Sequence, residues 1–490
     1  MKKQIWALRQ ITYTAFARLW KGICRPAVWL LSAVALCAIT RAEAYTEGFA
    51  YVDTIVVKGN KRTKVEAIVR ELEVAPGDSL QISAVEDVLR RNSLRLMNLG
   101  LFTRAEIRVA HWYQDNCLEL EVQLEETWYV YPIPMFELAD RNFNIWWDEF
   151  NASFRRVNYG LDLTDMNFSG RGDPLKVTAV LGYSNRFVLS YRQPFLNRKG
   201  TLGIQASFNY TRTHETPITT SGNRLLFFND IERWSIRRFS ADVTLEYRPR
   251  LLNTHFFRLA YQDLRILDTV AAVNPDFFLN GDSRFRMGAL HYRFEYDDRD
   301  VRRYATKGAF TRIEVQSMGV LPGDSWRGGR LSALWEKYRS FGERWSGAMA
   351  VNAGVSLPRN KPPYLLNSAL GYGQQFVRGY QYYVIDGLDF GLLKTQLRYK
   401  LFATKINLDR YSPIKAFGRM PLRVYAAAHQ DFGAVHDPHY RVGNPLANRL
   451  LWGCGVGLDL VAYYDMLFRI EYSRNHMGEY GFFIQVNTGI

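Results

Sequence analysis

The chain has 490 residues, which is more than one ordinary compact domain needs and enough for two. Aromatic residues make up 14% of it, yet the mean hydropathy is −0.23, so a bundle of membrane-spanning helices is excluded. Strands that present one apolar and one polar face produce this mixture. The formal net charge of +15 could indicate a nucleic-acid ligand, but no run of five or more basic residues occurs, and we expect no such partner.

The first 44 residues have the pattern of a secretory signal peptide. Basic residues precede the apolar run Ala27–Ile39, which is too short for a membrane-spanning helix. Ala42-Glu43-Ala44 offers a cleavage site, so the mature chain would start near Tyr45. Because the basic stretch is long, an uncleaved N-terminal anchor is the alternative. Cys117 and Cys454 follow the cleavage site in different predicted domains, so no disulfide framework is expected.

Residues 45–127 have the pattern of a compact α/β domain with the element order βααββ. Thr63 with Glu66, and later Ser83 with Glu86, have the spacing of capping boxes, so each pair predicts the start of a helix. Apolar residues at helical spacing follow both predicted starts. The predicted strands are Val52–Val57, Ala105–Ala110 and Cys117–Glu125. The last of them alternates almost perfectly between apolar and polar side chains, which predicts a sheet with helices on one face.

From residue 128 to 490, the helical period is replaced by segments of about ten residues with alternating side chains. The predicted strands lie near 131–139, 152–163, 174–184, 186–192, 200–211, 237–248, 254–264, 284–297, 307–318, 329–340, 344–357, 388–400, 421–431, 451–461, 465–473 and 480–489. A soluble sandwich would also alternate, but the export signal favours a membrane protein. We therefore predict a mainly β protein with a 16-stranded antiparallel transmembrane β-barrel after the α/β domain.

The connections between these strands alternate in length, as they do in outer-membrane barrels. Short connections such as 341–343 and 462–464 fall on the side of the chain ends. Long connections fall on the opposite side, near 212–236, 265–283, 358–387 and 432–450.

Several short motifs occur in the order typical of one family of barrels. Val57-Lys58-Gly59-Asn60-Lys61-Arg62-Thr63 and Leu99-Gly100-Leu101-Phe102 resemble a POTRA domain. Phe376-Val377-Arg378-Gly379-Tyr380 stands in the sixth predicted outer loop. Further matching pieces are Tyr191–Phe195, Asp297–Asp300 with Lys307-Gly308, and Asp431–Val435. Together they resemble the BamA/TamA bacterial surface antigen superfamily, with one POTRA domain where the assembly factors usually carry three to five.

The resemblance implies a non-enzymatic factor of the bacterial outer membrane, with its POTRA domain in the periplasm, which inserts or translocates proteins. Its partners would be outer-membrane lipid, unfolded outer-membrane or secreted client proteins, and periplasmic or lipoprotein accessory subunits. The resemblance implies no cofactor. The alternatives are a passive channel or structural barrel, an outer-membrane enzyme with a loop-borne site, and a two-partner exporter. A plain porin needs neither an in-turned loop nor a POTRA domain. The exporter normally adds a plug helix and a second POTRA domain. The stretch between Tyr45 and the first predicted strand is only a few residues long, which argues against both.

In the resembled family, the sixth loop turns into the lumen and its arginine pairs with an acid on the barrel wall. The implied loop residues here are Val377, Arg378, Gly379 and Tyr380. Alternation along 422–431 puts Asp431 on the same face as Tyr425 and His429, so Asp431 is available to the lumen. We expect a bidentate lock between Arg378 and Asp431. Gln396 stands where the family's twelfth strand would carry a lumen-facing glutamate, and a solvated loop arginine is the alternative.

The junction of the first and last strands is a second candidate site. Pro132 and Pro134 remove two backbone donors where the first strand should pair with the last, which contains Phe482 and Ile484. A weakly paired seam would let the barrel open sideways and template incoming strands. The alternative places both prolines in a linker, with the first strand starting at Met135. The POTRA sheet edge could likewise bind clients by strand addition, dock an accessory protein or serve as a spacer.

Two further patterns in the sequence do not indicate a functional site. Gly453, Gly455 and Gly457 alternate with Cys454 and Val456 and therefore belong to one face of a strand rather than to a phosphate-binding loop. The isolated pair His436 and His439 lies in a polar loop, where histidines are more often solvated than bound to a metal. Since no G-x-S-x-G, H-E-x-x-H or C-x-x-C pattern occurs, we expect neither an enzyme nor a metal site.

Overall fold

The computed structural model describes residues 48–138, 151, 153–194, 196–197, 199–407, 419–462 and 466–486. The predicted signal peptide, 1–44, lies outside these residues. Phe49–Leu80 and Ala84–Ile490 form one compact unit, which contains both the α/β domain and the large sheet, whereas Gly48 and 81–83 belong to a second unit. Within the described part of the chain, no helix combines the length and the hydropathy that crossing a membrane requires.

The small domain combines a four-stranded sheet with two helices. Its elements are β1 (Phe49–Lys58), α1 (Val65–Val69), β2 (Ser79–Gln81), α2 (Val85–Asn98), β3 (Phe102–Trp112) and β4 (Cys117–Glu126). The sheet order is β2-β1-β4-β3, with β1 parallel and β3 antiparallel to β4. Leu118, Leu120 and Val122 of β4 are fully buried with residues of both helices. The α/β domain is confirmed, while the short strand β2 was not predicted.

Both capping-box predictions are wrong. Helix α1 follows Lys64 without a side-chain cap, because the Thr63 hydroxyl instead contacts the hydroxyl of Tyr129 at 2.8 Å and accepts a bond from Asn167 at 3.0 Å. Helix α2 follows Ala84, and Ser83 lies inside the preceding 3-10 turn. Backbone groups at the start of α1 are bonded to distant residues instead, since the N–H of Thr63 donates to Glu126 at 2.7 Å and that of Lys64 to the carbonyl of Gly170 at 2.8 Å.

A single antiparallel sheet of sixteen strands follows the small domain. Its strands are β5 (Val130–Leu138), β6 (Val157–Asp165), β7 (Leu175–Gly182), β8 (Ser184–Gln193), β9 (Leu202–Thr213), β12 (Ile236–Arg250), β13 (Asn253–Ile266), β14 (Arg284–Asp297), β15 (Gly308–Met318), β16 (Gly328–Phe341), β17 (Trp345–Leu357), β20 (Asp389–Asn407), β21 (Arg419–His436), β22 (Leu450–Val461), β23 (Leu467–Asn475) and β24 (Tyr480–Val486). All sixteen predicted strands are present, so the predicted fold class is confirmed.

The two faces of this sheet differ in the way the alternation predicted. Large apolar side chains such as Val243, Leu259 and Leu331 are exposed on the outward face. Their inward neighbours are polar, including Asp242 and Arg258, which form an ion pair at 2.8 Å. An apolar outer face around a polar interior is the arrangement of a transmembrane barrel.

The two ends of the sheet have different connections. At one end, which we call the proximal end, the strand ends contact the α/β domain through the ion pairs Arg62–Asp165 of β6 and Glu71–Arg248 of β12, both at 2.7 Å. The opposite, distal end carries the long connections. These contain the hairpin β10 (Glu215–Ser221) and β11 (Arg224–Asn229), helix α3 (Asp268–Val273), and the pair β18 (Ser368–Leu370) and β19 (Ile385–Asp386). None of these distal elements was predicted.

Candidate functional site

The connection between β17 and β20, which contains the predicted sixth-loop motif, lies against the inner wall of the sheet. Val377, Arg378 and Tyr380 are almost completely buried. Val377 and Tyr380 pack in one hydrophobic cluster with Phe390 of β20 and Val435 of β21. The loop therefore occupies the interior of the barrel rather than the solvent beyond its distal end.

Arg378 and Asp431 form a bidentate ion pair inside the barrel. The Arg378 side chain donates through Nε to Asp431 Oδ2 at 2.8 Å and through Nη2 to Oδ1 at 2.5 Å. The backbone N–H of Arg378 donates to the same carboxylate at 3.0 Å. Arg378 is 1% exposed and Asp431 is fully buried. Charge-assisted bonds of this geometry are strong where water is excluded, so the pair can hold the loop in one position.

The ion pair lies within a wider group of charged side chains. Lys394 of β20 is directly opposite Asp431 in the register, and its Nζ lies 4.4 Å from the centroid of the Phe376 ring. Glu471 of β23 accepts a bond from Gln381 of the loop at 2.7 Å. Asp431 is therefore placed between two cations, Arg378 from the loop and Lys394 from the wall.

Glycines on the inner wall provide the space that the loop occupies. A β-carbon at Gly453 of β22 would lie 1.9 Å from the carbonyl oxygen of Arg378, and one at Gly433 would lie 2.5 Å from Val377. Gly379 has φ +94°, a conformation that few other residues adopt. The glycine alternation at 453–457 marks one face of a strand, and at Gly453 it is also a signal in the sequence for close backbone approach.

The last residue of the motif binds a different part of the wall. The Tyr380 hydroxyl is hydrogen-bonded to the ring of His476 and donates to the carbonyl of Trp452 at 3.4 Å. Asn475 donates to the carbonyl of Gly379 at 3.1 Å. Arg378 and Tyr380 thus fasten the loop at two separate places, and the contacts with His476 and Asn475 were not predicted.

Gln396 belongs to a separate polar cluster. Its amide donates to Asp459 at 3.0 Å, and Asp459 also accepts bonds from Arg469 at 2.8 Å and Tyr304 at 2.9 Å. Tyr304 comes from the proximal turn between β14 and β15. The glutamine therefore helps to join this turn to β20, β22 and β23, and this second cluster was not predicted.

The first and last strands of the sheet occupy the two ends of the strand order. Pro132 lies opposite Leu163 and Pro134 opposite Leu161, so both prolines are inside β5. The alternative that β5 starts at Met135 is wrong. On β24, Phe482 and Ile484 are 74% and 67% exposed. Within the described residues, no backbone pairing between β5 and β24 is present.

The described residues offer no metal centre of the usual composition. They contain no group of three or more His, Cys, Asp or Glu side chains that could hold a metal ion. The ring of His439 is hydrogen-bonded to the carbonyl of Arg359 at 2.8 Å. Gly453, Gly455 and Gly457 all lie in the middle of β22, as the alternation predicted.

The chain is similar to known outer-membrane proteins in sequence and in structure. Residues 167–461 match the Omp85 superfamily domain, and residues 50–126 match the POTRA family, described as a surface antigen variable number repeat. A "putative outer membrane protein assembly factor" from Treponema pallidum (strain Nichols) is 28% identical over 171 residues, which are 34% of this chain and 18% of that protein. The alignment thus spans less than a fifth of that relative.

Two solved barrels share the fold. BamA from Haemophilus ducreyi lacking POTRA domains 1–3 superposes with a TM-score of 0.51 at 15% identity, covering 89% of this chain and 84% of that one. CdiB from Acinetobacter baumannii superposes with a TM-score of 0.50 at 12% identity, covering 89% and 74%. Because the superfamily domain matches more than half of the sequence, this chain belongs to the Omp85 superfamily and carries one POTRA domain.

Proposed function

We propose that this protein is a non-enzymatic outer-membrane factor that inserts β-barrel proteins into the membrane. The observation that carries the proposal is the loop locked inside the barrel by the buried pair Arg378–Asp431, in a barrel whose edge strand β5 contains two prolines. A barrel that only forms a passive pore needs neither a locked interior loop nor a POTRA domain. An insertase, in contrast, needs a firm wall on one side and an edge that can open on the other.

We further propose the location and the partners of the protein. Residues 1–44 act as a signal peptide, 45–127 form the POTRA domain in the periplasm, and 128–490 form the barrel in the bacterial outer membrane. The apolar outward face supports contact with lipid. The relative from Treponema pallidum, named as an assembly factor, supports unfolded outer-membrane proteins as clients. Periplasmic or lipoprotein subunits that dock on the POTRA domain complete the proposed set of partners.

The edge of β5 is the proposed place for strand addition. Alternate residues of a strand present their N–H groups to the same edge, so Pro132 and Pro134 remove two donors from one side of β5. Both edge strands pair continuously with their inner neighbours, β5 from Val130↔Asp165 to Leu138↔Val157 and β24 from Phe468↔Val486 to Arg474↔Tyr480. The seam between β5 and β24 would open, and a client strand would pair with the edge that this opening exposes.

Translocation of a secreted protein is the second candidate, because the interior next to the loop is wide and polar. A cavity of about 490 Å³ is lined by inward side chains that include Asp242, Arg258, Arg293 and Arg330. A polar passage of this kind suits an unfolded hydrophilic chain better than an apolar strand does. Translocation would use the lumen, whereas insertion would use the seam.

Depletion of the protein in its own cells distinguishes these functions. Insertion predicts that many β-barrel proteins disappear from the outer-membrane proteome. Translocation predicts that the membrane proteome is retained while particular proteins vanish from the cell surface or the medium. An unchanged membrane, surface and secreted proteome, with only altered solute uptake, would contradict both functions and leave a passive channel.

A further inference from the structure

Four strands that follow one another in the sheet carry an arginine at the same height on their distal ends. Arg212 of β9 lies opposite Arg237 of β12, which lies opposite Arg265 of β13, and Arg265 lies opposite Arg284 of β14. We call these four residues the arginine row. The row is produced by the strand register alone, because the four residues are far apart in the sequence.

The arginine row lies on the outward face of the barrel. Each member lies an even number of positions along its own strand from an exposed apolar side chain. Arg237 and Val243 differ by six positions, as do Arg265 and Leu259, so they point to the same face. The residues adjacent to the row members face inward. Leu264 and Ile266, on either side of Arg265, and Phe285, next to Arg284, are buried in the cluster beneath the distal loops. The guanidinium groups therefore project toward whatever surrounds the barrel.

The arginine row has a surplus of positive charge. Like charges directly opposite each other on neighbouring strands are destabilising. Asp263 offsets part of this charge, with ion pairs to Arg284 at 2.6 Å and Arg265 at 3.5 Å. Arg212 lies over the ring of Trp234 at 4.3 Å. Within the described residues, neither Arg212 nor Arg237 has an ion pair with a carboxylate, so an anion from outside would stabilise the row.

The height of the arginine row matches the level of lipid headgroups. Tyr210 and Phe239, which lie opposite each other, occupy the next outward position toward the middle of the strands, about 7 Å along the strand. Phe239 also contacts Phe208 edge-on at 5.3 Å between ring centroids. Aromatic belts mark the boundary between hydrocarbon and headgroups in transmembrane barrels. Arg212 and Arg237 stand just beyond these aromatic residues, where phosphates of lipids are found, whereas on β13 and β14 the same level holds Asp263 and Arg286.

The row of neighbouring arginines lies on one side of the barrel, whereas elsewhere at this end β23 carries an outward arginine, Arg474, over the ring of Tyr480 at 5.0 Å. At the same end of β17 and β22, the outward positions are occupied by Leu357 and Leu450, both exposed. A general preference for basic residues near the membrane surface would place cations all around the barrel. The arginine row is therefore a local patch, built on β9, β12, β13 and β14.

We propose that the arginine row binds the phosphate-bearing headgroup of a lipid in the membrane leaflet at the distal end. Guanidinium groups bind phosphate oxygens in pairs, and several of them side by side fit a group with more than one negative charge. The aromatic side chains below the row pack against the acyl chains of the same lipid. This inference rests on the proposed placement of the barrel in the outer membrane.

The test measures lipid binding to the folded full-length protein. Phosphatidic acid is titrated against a background of phosphatidylcholine, and native mass spectrometry gives the apparent Kd of the first phosphatidic acid bound. Arg237→Gln/Arg265→Gln should weaken this binding about twenty-five-fold, since each basic residue near an anionic surface contributes about a factor of five. Arg237→Lys/Arg265→Lys keeps the charge and should retain most of the binding.

The matched control is Lys337→Gln/Arg339→Gln, which removes two exposed cations from β16 near its proximal end. An equal loss of binding in this control would overturn the proposal, because it would reduce the effect to net charge. Displacement of phosphatidic acid by inorganic phosphate would also overturn it, since the row would then be a site for free anions. If the double glutamine variant does not show the heat-modifiable migration of a folded barrel, the single variants Arg237→Gln and Arg265→Gln carry the same test.

Failure of this inference and failure of the proposed function are separable. Lipid binding is measured on the purified protein, whereas the proposed function is read from the proteome of depleted cells. Loss of lipid selectivity with normal client assembly refutes only the inference. Intact lipid selectivity with an unchanged proteome refutes only the proposed function.

Discussion

Removing the buried carboxylate of Asp431 should release the sixth loop from the barrel wall. Asp431→Asn leaves Arg378 in the interior without its ion pair, next to a second buried cation, Lys394. Loss of one partner from a buried pair typically costs about 3–5 kcal/mol. If this cost falls on the locked state of the loop, the open population rises between about a hundredfold and a few thousandfold. The ladder bonds of the sheet remain, so the barrel itself should still assemble.

The reciprocal change should have a smaller effect. Arg378→Ala removes one cation and leaves Asp431 beside Lys394 and the backbone N–H of residue 378. Arg378→Lys should restore little, because an ammonium group cannot make the two-pronged contact. The double variant should be no worse than Asp431→Asn, since both residues act in one contact.

The assay is chymotrypsin cleavage within residues 358–387 of the membrane-inserted protein, together with amide exchange at 376–381. Arg359→Ala is the matched control, because it removes an arginine of the same loop from an ion pair with Asp389 at 2.6 Å that is half exposed. That contact should contribute about 1 kcal/mol or less. Cleavage that rises equally in Arg359→Ala and Asp431→Asn, or strictly additive effects of Arg378→Ala and Asp431→Asn, would refute the lock.

Two further predictions concern the packing of the loop and the docking of the POTRA domain. Gly453→Val should expel the loop and raise chymotrypsin cleavage, because the carbonyl of Arg378 occupies the space of the new side chain. Gly391→Ala should leave the cleavage rate unchanged, since no atom lies within 4 Å of a β-carbon added there. Equal cleavage in both variants would contradict this. Burial would raise the pKa of the Glu71 carboxyl, but Arg248 and a second arginine outweigh it and lower that pKa. The Glu71–Arg248 ion pair therefore contributes its full stabilisation above the ordinary glutamate pKa of about 4.3. This stabilisation is lost as the pH falls through the lowered pKa of Glu71. Amide exchange at 62–72 should rise in acid, and Glu71→Gln should remove that pH dependence; a pH dependence retained in the variant would contradict the assignment.

The strands of the sheet could be predicted from the sequence because each of them separates the apolar exterior of the barrel from its polar interior. Arg284–Asp297 was predicted with its observed bounds, since apolar and polar residues alternate until Asp298. The distal elements were not readable in this way. The hairpin β10–β11 and helix α3 pack on the apolar cluster at the distal end, but each element has only six or seven residues, too few for a period to be recognised.

The small domain shows a different limit. Thr63 and Ser83 have the correct spacing for caps, but spacing reports only local possibilities. The Thr63 hydroxyl is used by Tyr129 and Asn167, which are about 65 and 100 residues away along the chain. Contacts of this kind depend on the docking of the α/β domain on the proximal turns, and a local motif carries no information about that docking.

The candidate site was partly readable for the same reasons. Alternation along β21 predicted Asp431 on the inner face, and the motif resemblance pointed to Arg378, which donates to Asp431 in the structure. The involvement of Lys394, His476 and Gly453 depends on how four strands and one loop meet in space. The glycine stripe on β22 carried this information, because a run of alternate glycines on an inner face leaves room for another backbone.

The most direct test of the proposed insertion mechanism is a reversible crosslink across the seam. With Cys117 and Cys454 replaced by serine, cysteines at Ile133 or Met135 of β5 are paired with cysteines at Phe482 or Ile484 of β24. The control crosslink joins positions 470 and 484, which already face each other within the sheet. Client insertion is then measured before oxidation, after oxidation and after reduction. We predict that the seam crosslink blocks insertion reversibly while the control does not; full insertion with a complete seam crosslink would contradict the mechanism.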